Sequence, residues 1–226
     1  IAGIIAAFDN PNNDGNGITN PAGIAGISIK DCTHSGRIRN HNYCTTQDAL
    51  AISPFAGGIV GAVIGTADSK ALISGCSNSS TYLYQYRGLS GGIAGYLENA
   101  ILSNCTMEGS STNANDNSVQ LAGLAAWTLS TSLENCTVKG SELKLNKNVS
   151  GFAGILDTGS SISACKAEGV TITGTNAVVL ASTAAEGTTI SNCGISGTVR
   201  GEVITLGSPL ILTDNGASVS GTYVIE

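Results

Sequence analysis

Residues 91–109 read GGIAGYLENAILSNCTMEG, and residues 122–140 read AGLAAWTLSTSLENCTVKG. Each stretch opens on small residues around an aliphatic side chain, places Leu three residues before Cys, and sets Gly four residues after it. Outward from this pair the pattern recurs along the chain. Its Cys-centred half appears as IKDCTHSG around Cys32, ISGCSNSS around Cys76, ISACKAEG around Cys165 and ISNCGISG around Cys193, with Ser80 the one replacement of the Gly. Its upstream half appears as AGIAG at 22–26, GGIVG at 57–61, SGFAG at 150–154 and a degraded VVLAS at 178–182, with AGIIA at 2–6 as a further copy. From Cys76 onward the Cys-to-Cys intervals are 29, 31, 29 and 28 residues.

A unit of this length with short apolar runs between Gly, Asn and Ser corners cannot bury its own apolar side, so successive units must stack. The expected fold is therefore all-β: a β-solenoid in which each strand pairs in parallel with its equivalent one coil away, at about 4.8 Å. Cys32, Cys76, Cys105, Cys136, Cys165 and Cys193 then form a structural ladder, in which Cys76, Cys105, Cys136, Cys165 and Cys193 are expected to be reduced thiols behaving as small buried hydrophobes. Ladder neighbours point the same way rather than at one another, which disfavours disulfides between them. Asn104, Asn135 and Asn192, each just before a Cys, are expected to form a side-chain hydrogen-bond ladder. The longer interval from Cys32 to Cys76 predicts an insertion near 37–53, and residues 9–21 predict another loop. Length divided by the repeat, less the insertions, predicts about seven coils in a single domain over 1–226, with repeats over 1–197 and a closing coil over 198–226.

Composition supports this reading. The 226 residues include 30 Gly and only 12% charged residues, which disfavours helical bundles because Gly weakens a helix by about 1 kcal/mol relative to Ala. With 42% hydrophobic residues the chain can bury a core. Ten basic against 16 acidic residues give a net charge of −6 with no basic block, so nucleic acid and anionic lipid are not expected partners. The uncharged stretch 49–67 scores as apolar, but Pro54, four glycines and its repeat register argue against membrane insertion. Ile1 falls inside a repeat unit, so the chain is expected to be part of a longer one.

The blocks GGIVG and GGIAG, followed about ten residues later by the ISxCxxxG pattern, resemble the GLUG motif of bacterial surface proteins. The resemblance runs from Ala2 to Gly197 and departs at Val178–Ser182, where the glycines are lost. It implies a right-handed parallel β-helix of a secreted or cell-surface, adhesin-like protein, or the non-catalytic region of a larger surface peptidase.

Several constellations bear on chemistry. Cys32, His34, His41 and Cys44 lie within 13 residues, and zinc ligation, a Cys32–Cys44 disulfide or neither remain open. Asn10, Asn12 and Asp14 have the spacing of a calcium loop, but Pro21 stands where its closing carboxylate belongs. Tyr82, Tyr84 and Tyr86 alternate, so a strand places all three on one face, either as a strip for a glycan or extracellular protein or under a neighbouring loop. Glu98, Glu108, Glu134, Glu168 and Glu186 occur singly, without the converging pair that glycoside cleavage needs. Glu108, Lys139 and Glu168 occupy one repeat position and predict a charge ladder. No cofactor is implied. The sequence therefore points to a non-catalytic, adhesin-like repeat module, with a carbohydrate-active enzyme or accessory module, and a structural spacer, as alternatives.

Overall fold

A computed structural model describes residues 5–7, 23–40, 55–80, 82–85, 88–109, 111–113 and 118–225. One turn shows the plan. The chain runs through Ser118–Ala122, Ala125–Leu129, Ser132–Glu134, Thr137–Lys139 and Glu142–Leu145 before it returns above its own start. Each segment pairs in parallel with its counterparts one turn away, and the repetition builds four sheets, numbered 1 to 4 in the order the chain visits them. The described residues contain no helix, and the architecture is a β-solenoid.

Sheet 1 has five strands, whereas sheets 2 and 3 have seven each. Among the described residues the tube thus has five complete turns with part of a further turn at either end, rather than about seven coils. The first partial turn supplies Ile5–Ala7, Ser28–Lys30 and Thr33–His34, and the last supplies Ile211–Asp214, Ser218–Ser220 and Tyr223–Val224. Dividing length by the repeat counts the last turn as complete, but residues 204–210 add no strand to sheet 1. Asn176–Val178 and Ala181–Ala184 pair in register despite the degraded VVLAS block, because Val179 and Leu180 still fill the interior.

Equivalent residues lie over each other. In sheet 3, Ile29, Ile73, Leu102, Leu133, Ile162, Ile190 and Val219 are successive register partners. The five interior members from Ile73 to Ile190 are fully buried, and one apolar core runs continuously along the lumen. Residues 55–64 of the uncharged stretch contribute Phe55–Gly57 to sheet 1 and Val60–Ile64 to sheet 2. Among the described residues, no helix is long and apolar enough to cross a membrane.

The corner before each ladder cysteine has a backbone cause. Asp31, Gly75, Asn104, Asn135, Ala164 and Asn192 all have φ between 51° and 62°. This left-handed region disfavours most side chains and is visited mainly by Gly, Asn and Asp. The expected hydrogen-bond ladder through Asn104, Asn135 and Asn192 is absent: no bond joins these side chains. Backbone conformation, not side-chain pairing, accounts for asparagine at this corner.

A second feature is a crease between sheets 1 and 2. Phe55, Leu89, Gln120, Asn148 and Asn176 form the outward column of sheet 1, yet Leu89 is fully buried and Gln120 is 3% exposed. They are covered because the outer surface of sheet 2 folds against them. A Cβ on Gly95 would fall 2.7 Å from the Phe55 Cβ, and one on Gly154 would fall 2.8 Å from the Gln120 Cδ. Gln120 Nε2 donates to Ser182 Oγ at 2.9 Å, spanning two turns along the crease.

Candidate functional site

Just outside the crease, the outward column of sheet 2 runs Ala62, Tyr96, Trp127, Ile155, Thr183. Phe55, from sheet 1, leans over it. The Phe55 and Tyr96 rings stack at 5.1 Å between centroids, Tyr96 and Trp127 meet edge-on at 5.5 Å, and Phe55 lies 6.4 Å from Trp127. Such pairs contribute about 0.5–1.5 kcal/mol each beyond area burial. With Ala62 and Ile64 they form an apolar cluster separate from the lumen.

Two carboxylates flank the rings. The Tyr96 hydroxyl donates to Glu98 Oε2 at 2.7 Å, and the Trp127 indole donates to Asp157 Oδ2 at 3.3 Å. The other oxygen of Asp157 accepts from the Thr158 amide at 2.7 Å. Burial first, and then Glu98 and Asp157, push the Tyr96 phenol well above its usual range, so it remains a neutral donor. A carboxylate has about four acceptor sites, so Glu98 and Asp157 retain capacity for further hydroxyl donors. Tyr96 is buried, 8% exposed, and Phe55 and Trp127 are half-buried, so the arrangement offers parts of the Phe55 and Trp127 rings beside anionic acceptors.

Alternation within a single strand does not reveal this cluster. Its signal lay across turns: Tyr96 follows GGIAG and Trp127 follows AGLAA at the same repeat position.

The tyrosine strip lies elsewhere. Tyr82 and Tyr84 belong to strand Tyr82–Gln85, which pairs in parallel with Arg37–Asn40, while Tyr86 lies outside the described residues. In this accessory two-stranded sheet Arg37 is opposite Tyr82, Ile38 opposite Leu83, and Arg39 opposite Tyr84.

The ladder cysteines are free thiols; Cys76, Cys105, Cys136, Cys165 and Cys193 are buried and Cys32 is half-buried. From Cys76 onward the amide of the residue after each ladder cysteine bonds to the cysteine carbonyl one turn earlier, as in Thr106 to Cys76 at 2.8 Å and Thr137 to Cys105 at 2.9 Å. Burial raises the Cys76 thiol to about 11. Sharing a hydrogen bond with Cys136, and then burial, raise Cys105 further, and burial also raises Cys193.

Of the metal candidates, Cys32 and His34 are described, whereas His41 and Cys44, like Asn10, Asn12 and Asp14, lie outside the described residues. Cys32 Sγ donates to the Lys30 carbonyl at 3.3 Å, and His34 Nδ1 lies 3.1 Å from Asn78 Oδ1. Among the described residues no group of three or more His, Cys, Asp or Glu is placed to hold a metal ion. Lys139 and Glu168 are register partners as the repeat predicts, but the charge ladder does not form. Glu168 instead pairs with Lys166 on its own strand at 3.8 Å, and this is the one ion pair among the described residues.

Comparison of the chain with family models, with curated proteins and with solved structures finds no match to any of them.

Proposed function

We propose that this chain is a non-catalytic repeat module of a cell-surface or secreted protein, holding a glycan or an extracellular protein on its outer faces in an adhesin-like role. The observation that carries this reading is the cluster of Phe55, Tyr96 and Trp127 outside the lumen, bordered by Glu98 and Asp157. A folding role alone is met by the lumen, where aliphatic residues, Phe152 and thiols already form a continuous core. Rigid aromatic surface beside acceptor oxygens suits the alternating apolar and hydroxyl faces of a sugar, or a protein anchor. A glycan array and an extracellular-protein pull-down test it. The wild type should score on one of them, and Trp127→Ala should weaken a ligand held at the cluster. Blank results for the wild type on both would count against the proposal.

A second reading, a carbohydrate-active enzyme, draws on one fact: Glu98 and Asp157 are hydrogen-bonded to neighbouring rings, Tyr96 and Trp127, whose centroids lie 5.5 Å apart, so two carboxylates border one cluster. Turnover of a polysaccharide by the wild type, abolished in Glu98→Gln or Asp157→Asn, would favour it over the binding module.

A further inference from the structure

We propose that the cluster of Phe55, Tyr96 and Trp127 binds a cationic sugar chain, a polymer of hexosamines whose amino groups are free and protonated. The inference rests on the reading of the chain as a ligand-binding module and names the ligand class for that same site. It starts from charge. None of the 10 Lys and Arg residues lies in a described strand of sheet 1 or sheet 2. The described strands of sheet 1 hold no charged residue at all, and those of sheet 2 hold only Glu98 and Asp214, with Asp157 directly after Leu156. Lys70 is the one cation in the described links from sheet 2 to sheet 3, which also hold Asp68, Asp157 and Glu186.

Glu98 and Asp157 are half-buried, and neither makes an ion pair, since Lys166 with Glu168 is the one pair among the described residues. Their hydrogen-bond partners are neutral donors: the Tyr96 hydroxyl, the Trp127 indole and the Thr158 amide. A carboxylate partly withdrawn from water without a counter-charge favours a cation that can reach it, and an ammonium donor makes the stronger, charge-assisted hydrogen bond. The rings act in the same sense, because the face of an aromatic ring attracts an ammonium group, and Trp most strongly.

Spacing selects a sugar chain. The strand register sets Asp157 two turns beyond Glu98, with Trp127 in the turn between them. Two turns of parallel strands span about 9.6 Å, close to the length of one disaccharide. Amines on alternate sugars then meet the two carboxylates, and the apolar face of the sugar between them lies on the Trp127 ring. A neutral glycan would leave both carboxylates without a counter-charge, and a polyanion would be repelled.

Titration of the whole chain with a glucosamine oligomer, its fully N-acetylated counterpart of equal length, and an oligolysine of equal charge tests the proposal. Binding is followed by calorimetry and by the emission of Trp127, the only tryptophan. The glucosamine oligomer should shift that emission in a salt-sensitive way and bind about tenfold or more tighter than the other two. Glu98→Gln and Asp157→Asn should each weaken its binding by about tenfold, with circular dichroism showing the β fold intact. Glu142→Gln, exposed on sheet 4, should leave it unchanged. No binding of the glucosamine oligomer, oligolysine binding as tightly, or undiminished binding by both folded carboxylate variants would overturn the inference. Equal binding of the N-acetylated oligomer at Trp127, or a neutral glycan or protein found on the arrays with no response to glucosamine, would leave the module reading standing and remove this one.

Discussion

At the residue scale, the corners explain both the cysteines and their neighbours. At several corners the residue after a left-handed one has a side-chain donor within reach of two carbonyls, its own i−2 carbonyl and one from the preceding turn. Cys136 Sγ reaches Glu134 at 3.3 Å and Leu102 at 3.5 Å. Thr131, after Ser130 with φ 50°, reaches Leu129 at 2.9 Å and Leu97 at 3.2 Å. Ser141, after Gly140 with φ 57°, reaches Lys139 at 3.2 Å and Met107 at 3.4 Å. The ladder thiol is thus a corner donor as well as an apolar filler. Because a hydroxyl can take over both acceptors, Cys136→Ser should cost only about 1 kcal/mol in urea unfolding; a loss of several kcal/mol would show that the sulfur is needed for packing alone. Ala164 holds φ 51° without the help Asn or Gly would give. Ala164→Asn should therefore raise stability by roughly 0.5–1 kcal/mol, seen as a higher Tm, and a lowered Tm would contradict the corner argument. The thiol shifts also set a pH dependence. The Cys76 pKa rises on folding from 9.0 to about 11, so its contribution is fully present below pH 9 and is lost as pH climbs through 11. Thermal melting across that alkaline range should show a fall that Cys76→Ser reduces.

At the scale of elements, the crease is the feature on which the aromatic cluster depends. Sheets 1 and 2 approach back to back along a column of small residues, Gly95, Ala126, Gly154 and Ser182, and most closely at the two glycines. Gly95→Ala would push its new Cβ into the Phe55 Cβ and the Ala56 backbone, at 2.7 and 2.8 Å before relaxation. Overpacking of this kind costs about 1–3 kcal/mol, and here it should also part Phe55 from Tyr96. Trp127 is the only tryptophan, so its emission should shift in Gly95→Ala while the far-ultraviolet circular dichroism stays β; unchanged emission would mean that the crease does not hold the cluster together. The repeat register makes Tyr96 and Trp127 legible as neighbours one turn apart. It is silent on Phe55, which joins them only through the fold of one sheet against another.

For the whole molecule, stability is expected to accumulate turn by turn, since each turn contacts mainly its neighbours. Excising residues 137–165 would join Cys136 to Lys166, the register partner of Thr137, and leave every ladder in phase. This 29-residue deletion should give a shorter protein that still folds, with a lower unfolding midpoint. Removing half as many residues would throw lumen positions outward and should abolish the β signal; a folded half-turn deletion would contradict the stacking account. The ends differ from the middle. Val219 and Val224 continue inward columns but are 36% and 38% exposed, whereas Ile190 and Ile195 one turn earlier are fully buried.

By itself the sequence determined the period, the parallel stacking, the Ile/Leu and Cys columns and the positions of the corners. Each follows from local alternation of apolar and polar residues repeated at a fixed interval, so one strand's pattern is enough to place all its equivalents. The tertiary structure alone decided how many turns are complete, that sheets 1 and 2 close into a crease, and that Phe55 meets Tyr96 and Trp127. These depend on the angle at which sheets meet. That angle is the combined outcome of several corner dihedrals and of the side chains missing at Gly95 and Gly154, and no single repeat unit encodes it.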